Sequence, residues 1–482
     1  MKAQVLLPKV FNFPFTYNSK NAGHIGNLVE VPFGSKKEIG VIWNNNYPEP
    51  KNLKIKDIGK ITEYSINKKL IDFIEWFSSY NMVPIGLVLK MAIGGIDKYI
   101  IKKDNIVEIK KTEKKVFRLN SEQEKALNFL EKVNGKFDVS VLQGTTGSGK
   151  TLVYFERIKK IIKKNNQALV LLPEIFLTND FKSRFEEFFG FEPAIWHSKI
   201  TPKQKRIIWK GIISNKIKIL VGARSALLLP FKKLGIIIVD EEHDTSYKQD
   251  EGVIYNARDM AISRAKFEKI PIHLVSSVPS IETFNNIINK KYRHINIVKR
   301  FDEYPLPETK IINLNIAKIK NKFIANETIK LVKNYLIKNE QVLFFINRRG
   351  FAPYLICKKC GNKLICSNCS LYLTFHKIKN KAICHHCSFE KGIKTKCNSD
   401  GNCEFIMYGP GVEKIFEEVK EIFPSKKISI FSSDYLKTKE KTKDLFREIN
   451  ENKLDILIGT QMISKGFNFP KLNCIVVIDA DF

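Results

Sequence analysis

A glycine-rich octapeptide offers the clearest chemistry in the sequence. It follows the apolar segment VSVLQ and precedes the amphipathic segment TLVYFERIKKII, a succession that predicts a strand, a loop and a helix. Backbone N–H groups of such a loop and the positive end of the helix dipole bind phosphates. We therefore predict that Lys150 neutralises the β and γ phosphates of ATP and that the Thr151 hydroxyl ligates Mg²⁺. The predicted nucleotide-binding residues are Gly144, Thr145, Thr146, Gly147, Ser148, Gly149, Lys150 and Thr151.

The acidic run DEEH follows the hydrophobic segment LGIIIV. A carboxylate at the carboxyl end of a buried parallel strand lies at the rim of the sheet, where ligands bind. We expect Asp240 to hold Mg²⁺ through water, Glu241 to orient and deprotonate the attacking water, and His243 to report the γ phosphate to a nucleic-acid face. An acidic run alone is more often a solvated loop, and the phosphate loop before it is what favours catalysis.

Cysteines are concentrated in one short segment as three CxxC pairs and one Cys-x5-Cys pair. Their thiolates suffice for two closed, structural Zn²⁺ sites, with no ligand position left open for catalysis. Nearby His376, His385 and His386 could substitute but are interpreted as bystanders, and Cys474 as a strand core residue. The predicted zinc ligands are Cys357, Cys360, Cys366, Cys369, Cys384, Cys387, Cys397 and Cys403.

The net charge of +31, from 81 Lys and Arg against 50 Asp and Glu, favours a polyanionic partner such as nucleic acid. A coding bias toward Lys would give the same surplus without any such partner. Hydrophobic residues make up 44% of the chain and charged residues 27%, which is typical of globular proteins. With no export signal at the start and no apolar run of membrane-spanning length, a cytoplasmic protein without membrane contact is expected.

Near-continuous apolar runs alternate with amphipathic helical patterns, as in a parallel sheet covered by helices on both faces. We therefore predict an α/β protein with two doubly wound parallel-sheet lobes that form a cleft, preceded by a β-rich and then a helical region. The runs are VSVLQ, ALVLLP, IKILVG, LGIIIVD and PIHLVSS in the first lobe, and QVLFFIN, EFIMYG, KISIFS, LDILIG and NCIVVID in the second.

These motifs together resemble superfamily 2 helicases and, within them, the PriA family of bacterial replication-restart helicases. Besides GTTGSGKT, DEEH and the cysteine segment, the likeness rests on LVLLPEI (169–175), VGARSALLLPF (221–231), VLFFINRRGFAP (342–353) and ILIGTQMISKGFNFP (456–470). It implies an ATP-dependent 3′-to-5′ DNA helicase that acts on branched or stalled forks in replication restart, with Mg²⁺ and two Zn²⁺. Implied partners are DNA, primosome proteins, single-stranded-DNA-binding protein and a loader of the replicative helicase.

The resemblance also divides the chain. The expected parts are a 3′-DNA-end-binding-like β domain (1–60), a helical winged-helix-like domain with a linker (61–112), RecA-like lobe 1 (113–310), the start of RecA-like lobe 2 (311–356), a double zinc-binding insertion (357–403) and the rest of lobe 2 (404–482). In the family, the outer cysteine pairs bind one zinc and the inner pairs the other. Whether Cys403 or Asp400 is the last ligand stays open.

The segment DTSYKQDEGVIYNARD is similar to the aromatic-rich loop that couples DNA to ATP hydrolysis in the family. Tyr247 and Tyr255 are then expected to stack on bases, and Lys248 and Arg258 to meet phosphates. The alternative is an ordinary surface loop with half-buried tyrosines. The family's Ser-Ala-Thr-Pro-Ser motif here reads SSVPS, so Val278 lacks a hydroxyl that Ser277 would have to supply.

The N-terminal resemblance rests on PFTY, VPFG and LK. It implies that Phe15 stacks on the terminal base of a DNA 3′ end while Gly34 and Lys54 shape the pocket. Thr16 replaces the family's Asp, which alters the expected hydrogen bonding to the terminal hydroxyl. The alternative is that Phe15 is a core residue of a small barrel.

Two rival functions have different sequence signatures. A translocase or RNA helicase would not need the zinc insertion and the N-terminal module. A zinc-stapled nucleic-acid-binding scaffold with little turnover would dispense with Lys150 or Glu241, both of which are present.

Family members continue into a motif with paired arginines, whereas no arginine follows Arg447. The sequence is therefore expected to be truncated, with weak DNA-stimulated ATPase activity unless Arg348 or Arg349 replaces those arginines.

Overall fold

The computed structural model divides into two compact units, Met1–Leu306 and Pro307–Phe482. Among the residues that it describes, no helix is long and apolar enough to cross a membrane. The described residues are 1–19, 23–43, 55–94, 113–133, 135–173, 179–300, 307–314, 323–346, 354–357, 360–376, 381–392, 405–409, 411–431, 444–445, 447–449, 451–460, 463, 469 and 471–480.

The N-terminal region forms a five-stranded antiparallel sheet in the order β2-β1-β4-β3-β5, followed by two helices. The Asn67 side chain caps the first helix by accepting a hydrogen bond from the Leu70 N–H. The elements are β1 (Lys2–Leu6), β2 (Phe15–Asn18), β3 (Asn27–Phe33), β4 (Lys36–Ile42), β5 (Lys60–Ser65), α1 (Lys68–Tyr80) and α2 (Ile85–Ile93).

The rest of the first unit is a seven-stranded parallel sheet in the order β14-β6-β13-β10-β7-β9-β8. The predicted strand runs of the first lobe all lie in it, and this part of the α/β prediction is confirmed. Its elements are α3 (Ser121–Glu131), β6 (Asp138–Gly144), α4 (Lys150–Lys163), β7 (Gln167–Leu171), α5 (Asn179–Phe189), β8 (Ala194–Trp196), α6 (Pro202–Ile213), β9 (Ile219–Gly222), β10 (Leu234–Asp240), β11 (Lys248–Gln249), β12 (Tyr255–Asn256), α7 (Ala257–Glu268), β13 (Pro271–Ser276), α8 (Ile281–Ile288) and β14 (Arg293–Ile297).

Helices α1 and α2 share a hydrophobic core with this lobe. The Trp209 indole N–H donates a hydrogen bond to the Ala92 carbonyl (3.0 Å), and the Asn67 amide donates one to the Phe231 carbonyl (3.0 Å). The N-terminal helices are therefore fixed to the lobe that carries the phosphate loop.

The second unit contains a four-stranded parallel sheet in the order β21-β22-β15-β23, which confirms a second parallel lobe. Its elements are α9 (Asn326–Ile337), β15 (Gln341–Phe345), β16 (Tyr354–Cys357), β17 (Thr374–His376), β18 (Lys381–Ile383), β19 (Glu390–Gly392), β20 (Phe405–Tyr408), α10 (Val412–Ile422), β21 (Ile428–Phe431), β22 (Ile456–Gly459) and β23 (Leu472–Val477).

The cysteine-rich insertion leaves this lobe through a two-stranded antiparallel ribbon of β16 and β20 and contains the antiparallel sheet β17-β18-β19. The segment EFIMYG, predicted as a parallel strand of the second lobe, is β20 of this ribbon, so that prediction is wrong. An apolar run shows that a strand is buried but does not identify its partner.

Candidate functional site

The predicted phosphate loop connects the end of β6 to the start of α4. A Cβ on Gly144 would lie 2.6 Å from Ser148 Oγ and 3.0 Å from the Ile297 carbonyl oxygen. Gly147 and Gly149 have φ angles of 85° and 77°, in the left-handed region that favours glycine. The glycines of the motif therefore allow a tight turn directly before a helix N-terminus.

The side chains of the loop suit a bound phosphate chain. The buried Lys150 ammonium donates hydrogen bonds to the carbonyls of Gly144 (2.8 Å) and Thr145 (3.2 Å). Burial lowers the pKa of Lys150, whereas the Asp240 and Glu241 carboxylates raise it. Within the described part of the chain, the buried hydroxyls of Thr145 and Ser148 have no hydrogen-bond partner. Such orphaned donors fit the oxygens of a nucleotide phosphate.

Asp240 lies buried at the carboxyl end of β10. One carboxylate oxygen accepts a hydrogen bond from the Tyr154 hydroxyl (2.9 Å), and the other accepts one from the Glu241 N–H (3.0 Å). The Thr151 side chain hydrogen-bonds the same Tyr154 hydroxyl. Burial, with the Glu241 carboxylate next in effect, raises the pKa of Asp240 to about 6. The Thr151 hydroxyl and the Asp240 carboxylate both contact the Tyr154 phenol, and their oxygen atoms form a donor set that fits Mg²⁺.

Glu241 adopts a strained backbone conformation, with a φ angle of 49°. Non-glycine residues with such angles cluster at active sites, where the surrounding structure enforces them. The Glu241 carboxylate lies 3.7 Å from His243 Nδ1, and the Glu241 carbonyl accepts a hydrogen bond from the Asp244 N–H (2.8 Å). This arrangement suits a carboxylate that must be held at one angle toward a reacting water.

The acidic run contacts the end of β13 through His243. His243 Nδ1 lies 2.7 Å from the Ser276 hydroxyl, and Val278 is 70% exposed. Ser276 therefore supplies the hydroxyl that contacts the histidine, whereas the expectation that Ser277 replaces the hydroxyl missing at Val278 stays a prediction.

The two tyrosines of the aromatic loop are not on the surface. Tyr247 and Tyr255 are 1% and 3% exposed. The Tyr247 hydroxyl lies 2.9 Å from the Leu171 carbonyl oxygen and 2.6 Å from that of Asp240, and the Tyr255 ring packs edge-on against Phe77 at 5.3 Å. Burial raises the pKa of Tyr255 to about 12. The prediction that they stack on bases is corrected, because neither ring presents a face to solvent in this structure.

The two basic residues of the loop differ in exposure. The Lys248 side chain is 65% exposed and forms an ion pair with Asp250 (3.4 Å). The Arg258 side chain is only 10% exposed and forms ion pairs with Glu242 (3.3 Å) and Asp259 (2.8 Å). Arg258 is therefore corrected from a phosphate contact to an internal residue, whereas contact between Lys248 and DNA stays a prediction.

Four aromatic rings cluster in the N-terminal sheet around Phe15. Its ring centroid lies 5.0 Å from that of Phe11, 5.2 Å from Phe13 and 5.3 Å from Phe33. Gly34 follows with a φ angle of 62°, and open space surrounds the position of its missing Cβ. Lys54 lies outside the described residues.

The inner cysteine pairs converge on one point. The Sγ atoms of the four cysteines lie within 4.8 Å of one another, with Cys369 and Cys384 3.4 Å apart and Cys366 and Cys387 3.5 Å apart. Zn–S bonds of about 2.3 Å in a tetrahedron require S···S distances of about 3.8 Å, so a zinc ion fits with small shifts. Hydrogen bonds from the backbone N–H groups of Cys387 and His386 lower the pKa of the Cys384 thiol to about 6. The cluster comprises Cys366, Cys369, Cys384 and Cys387.

The outer pairs are only partly described. Cys357 is buried and Cys360 is exposed, whereas Cys397, Cys403 and the alternative ligand Asp400 lie outside the described residues. Of the neighbouring histidines, His376 and His385 contact each other, with their Nε2 atoms 2.9 Å apart.

Comparison with known proteins assigns the family. The chain is 42% identical to the replication restart protein PriA of Rickettsia felis over 99% of this chain and 74% of that protein. The chain belongs to the PriA family of replication restart proteins. It is also 38% identical to PriA of Haemophilus influenzae over 76% of this chain and 50% of that protein. Among solved structures it resembles the DUF1998 helicase MrfA bound to DNA, at 15% identity and a TM-score of 0.44, over 77% of this chain and 49% of that one.

Domain families cover most of the chain. Residues 4–94 match the 3′DNA-binding domain of PriA, residues 120–287 the DEAD/DEAH box helicase, residues 366–391 the Cys-rich region of PriA DNA helicase and residues 379–482 the helicase conserved C-terminal domain. As a PriA-family protein, the chain is an ATP-dependent DNA helicase of replication restart with a zinc-binding Cys-rich region.

Two residues of this PriA-family site were missed in the sequence. Tyr154, which contacts Asp240, lies in an amphipathic helix where a tyrosine is usually a packing residue. The Gln123 amide donates a hydrogen bond to the Ser148 carbonyl of the phosphate loop (3.0 Å). Gln123 also forms a reciprocal capping box with Asn120. The Asn-x-x-Gln spacing before α3 is the signal that could have revealed this residue.

Proposed function

We propose that this helicase moves 3′-to-5′ on branched or stalled replication forks and prepares them for primosome assembly. The observation that carries the proposal is the presence on one chain of a 3′DNA-binding domain match and a nucleotide site with a complete acidic motif. A module that recognises a 3′ end gives the motor a defined starting point on a fork.

The hydrolytic steps are assigned to residues of the first unit. Lys150 neutralises the β and γ phosphates, and Thr151 and Asp240 hold Mg²⁺, which supplies positive charge to the phosphates when bound. Glu241 orients a water toward the γ phosphorus and accepts its proton while ADP leaves. The contact between His243 and Ser276 supports a role in reporting the γ phosphate to the end of β13.

Recognition of the DNA end is assigned to the aromatic cluster around Phe15. A partly exposed ring in such a cluster can stack on a terminal base, and stacking is worth about 1–3 kcal/mol per base. The open space at Gly34 leaves room for the end of the strand. Lys54 is proposed to shape the pocket together with Gly34, and Lys248 to contact a phosphate of the strand beside the motor lobe.

The zinc module is assigned two structural ions. The inner cluster is supported by its geometry, and the outer site is proposed for Cys357, Cys360, Cys397 and Cys403. The proposed protein partners are primosome proteins, single-stranded-DNA-binding protein and the loader of the replicative helicase.

The test is to unwind forked substrates with the full-length protein. We expect ATP-dependent unwinding of a DNA fork loaded for 3′-to-5′ movement, and none of the opposite polarity or of an RNA duplex. Lys150→Ala should lose ATP hydrolysis and unwinding but keep its DNA affinity within about twofold, because removing one phosphate contact leaves the DNA-facing residues intact.

Lys163→Ala is the matched control, because this exposed lysine lies in the last turn of the same helix. It should behave as wild type. Unwinding of the opposite polarity would contradict the proposed direction, and near wild-type hydrolysis by Lys150→Ala would contradict the nucleotide-site assignment.

A further inference from the structure

Glu242 is the one member of the acidic run to which the hydrolytic steps give no role. Its side chain is 0% exposed. Its carboxylate nevertheless has four hydrogen-bonding or charged neighbours. They are the Ser280 N–H (2.7 Å), the Thr283 hydroxyl (2.9 Å), the Ser280 hydroxyl (3.2 Å) and the Arg258 guanidinium (3.3 Å).

These contacts join three segments of the first unit. Arg258 lies in the first turn of α7, directly after the β11–β12 hairpin of the aromatic loop. Ser280 is the N-cap of α8. The Glu242 N–H donates a hydrogen bond to the Val275 carbonyl near the end of β13 (3.1 Å). The Glu242 carboxylate therefore links the aromatic loop and α8 to the backbone next to Glu241.

The contacts of the Glu242 carboxylate can transmit a displacement of Arg258, because none of them can be lost without a large energetic cost. A fully buried carboxylate is stable only while its cation and hydrogen-bond donors stay in place, since an uncompensated buried charge costs several kcal/mol. A shift of Arg258 must therefore carry Glu242 with it. Glu241 is the adjacent residue, and the surrounding backbone holds it at a strained φ angle of 49°, so a displacement of Glu242 changes the direction of the Glu241 side chain.

We propose that Glu242 is a positioning residue that couples DNA contact by Lys248 of the aromatic loop to the orientation of the Glu241 carboxylate. The inference rests on the proposed function, because it requires that DNA stimulates ATP hydrolysis. In this mechanism Glu242 contacts neither ATP nor DNA. It acts through Arg258 on one side and through the backbone of Glu241 on the other.

The experiment compares Glu242→Gln with wild type in the full-length protein. The amide keeps the size of the side chain and can still accept from Ser280, but it cannot pair with the charge of Arg258. We expect kcat with single-stranded DNA to fall about tenfold, within the usual range of coupling between sites, and a smaller fall without DNA. The KM for ATP and the Kd for DNA should stay within about twofold, because both ligand contacts remain.

Glu282→Gln is the matched control. This carboxylate lies 3.8 Å from the same Arg258 nitrogen but its side chain is 73% exposed, so the variant should keep wild-type stimulation. Arg258→Gln removes the same ion pair from its other partner. It replaces Glu242→Gln in the experiment if the melting temperature of Glu242→Gln is much lower than that of the wild type. The double variant Glu242→Gln with Arg258→Gln should lose little more of the DNA stimulation of ATP hydrolysis than either single variant, because both substitutions remove the same ion pair.

Unchanged stimulation in Glu242→Gln, or additive losses in the double variant, would overturn the inference. An equal fall of kcat with and without DNA, accompanied by a lower melting temperature, would also overturn it, because Glu242 would then be purely structural. A wild-type protein that DNA does not stimulate would contradict the proposed function itself, and the inference with it.

Discussion

The Tyr154 hydroxyl lies between the two side chains proposed to hold Mg²⁺. Burial, together with the Asp240 carboxylate, raises the pKa of Tyr154 well above its ordinary value, so the hydroxyl stays protonated and donates a hydrogen bond to Asp240. The Thr151 side chain hydrogen-bonds the same hydroxyl. The buried phenol on α4 therefore fixes the orientation of the Asp240 carboxylate, which would hold Mg²⁺, as outer hydrogen bonds fix the ligands of other metal sites.

Replacing Tyr154 with Phe should weaken the response to Mg²⁺ more than the response to ATP. One lost hydrogen bond of about 1 kcal/mol corresponds to a roughly fivefold rise in the Mg²⁺ concentration for half-maximal hydrolysis. Binding of a fluorescent nucleotide, titrated with Mg²⁺, should show the same shift without turnover. Tyr80→Phe, at an exposed tyrosine, is the control, and an unchanged Mg²⁺ titration of Tyr154→Phe would show that Asp240 is held by other contacts.

At the scale of elements, sequence predicts what periodicity and composition encode. Buried parallel strands and the glycine-rich turn leave strong local signals, and β6, β10 and the phosphate loop lie where they were expected. Contacts between residues that are distant in the sequence leave no such local signal. Tyr255 and Phe77 are distant in sequence but pack together, so a tyrosine that looked available for a base is in the core.

The same limit applies to charged residues. Arg258 looked like a phosphate contact because loops that bind nucleic acid combine basic and aromatic residues. Its ion pair with Glu242 depends on the fold of β10 and α7 together, which no local pattern reveals. The four inner cysteines were easier to predict, because short CxxC spacing already places each pair on one turn.

Loss of an inner cysteine should release one zinc ion. We expect about two zinc ions per chain in the wild type and about one fewer in Cys369→Ser, because three thiolates cannot close a tetrahedral site. The measurement is metal analysis of the purified protein. Cys474→Ser, at a half-buried cysteine in β23, is the matched control and should keep the wild-type zinc content.

Retention of the full zinc content by Cys369→Ser would contradict the inner site. The same analysis distinguishes the two candidates for the last outer ligand. Zinc loss in Cys403→Ala with retention in Asp400→Ala is the expected result, and the reverse would assign the position to Asp400.

In the whole molecule, the net positive charge attracts DNA, and the hydrophobic core of the first unit links its surface to the nucleotide site. The chain carries a net charge of +31, which attracts any polyanion over distances longer than a hydrogen bond. The first unit packs its N-terminal helices, aromatic loop and motor sheet in one continuous core, in which Tyr255 and Trp209 both take part. DNA held by the surface of this unit is therefore attached to the body that contains the nucleotide site.

Salt dependence separates this function from a coding bias toward lysine. If the charge binds DNA, affinity should fall by at least about 100-fold between 50 mM and 200 mM salt, because each phosphate contact releases counterions. Lys248→Gln should reduce the slope of log affinity for single-stranded DNA against log salt by about 0.7, the value for one lost phosphate contact on a single strand. Its control is Lys68→Gln on α1, since the Lys68 side chain is 70% exposed, compared with 65% for Lys248, and also forms an ion pair with an aspartate. Fluorescence anisotropy across a salt series measures both, and equal slopes for the two variants would show that Lys248 does not contact the DNA backbone.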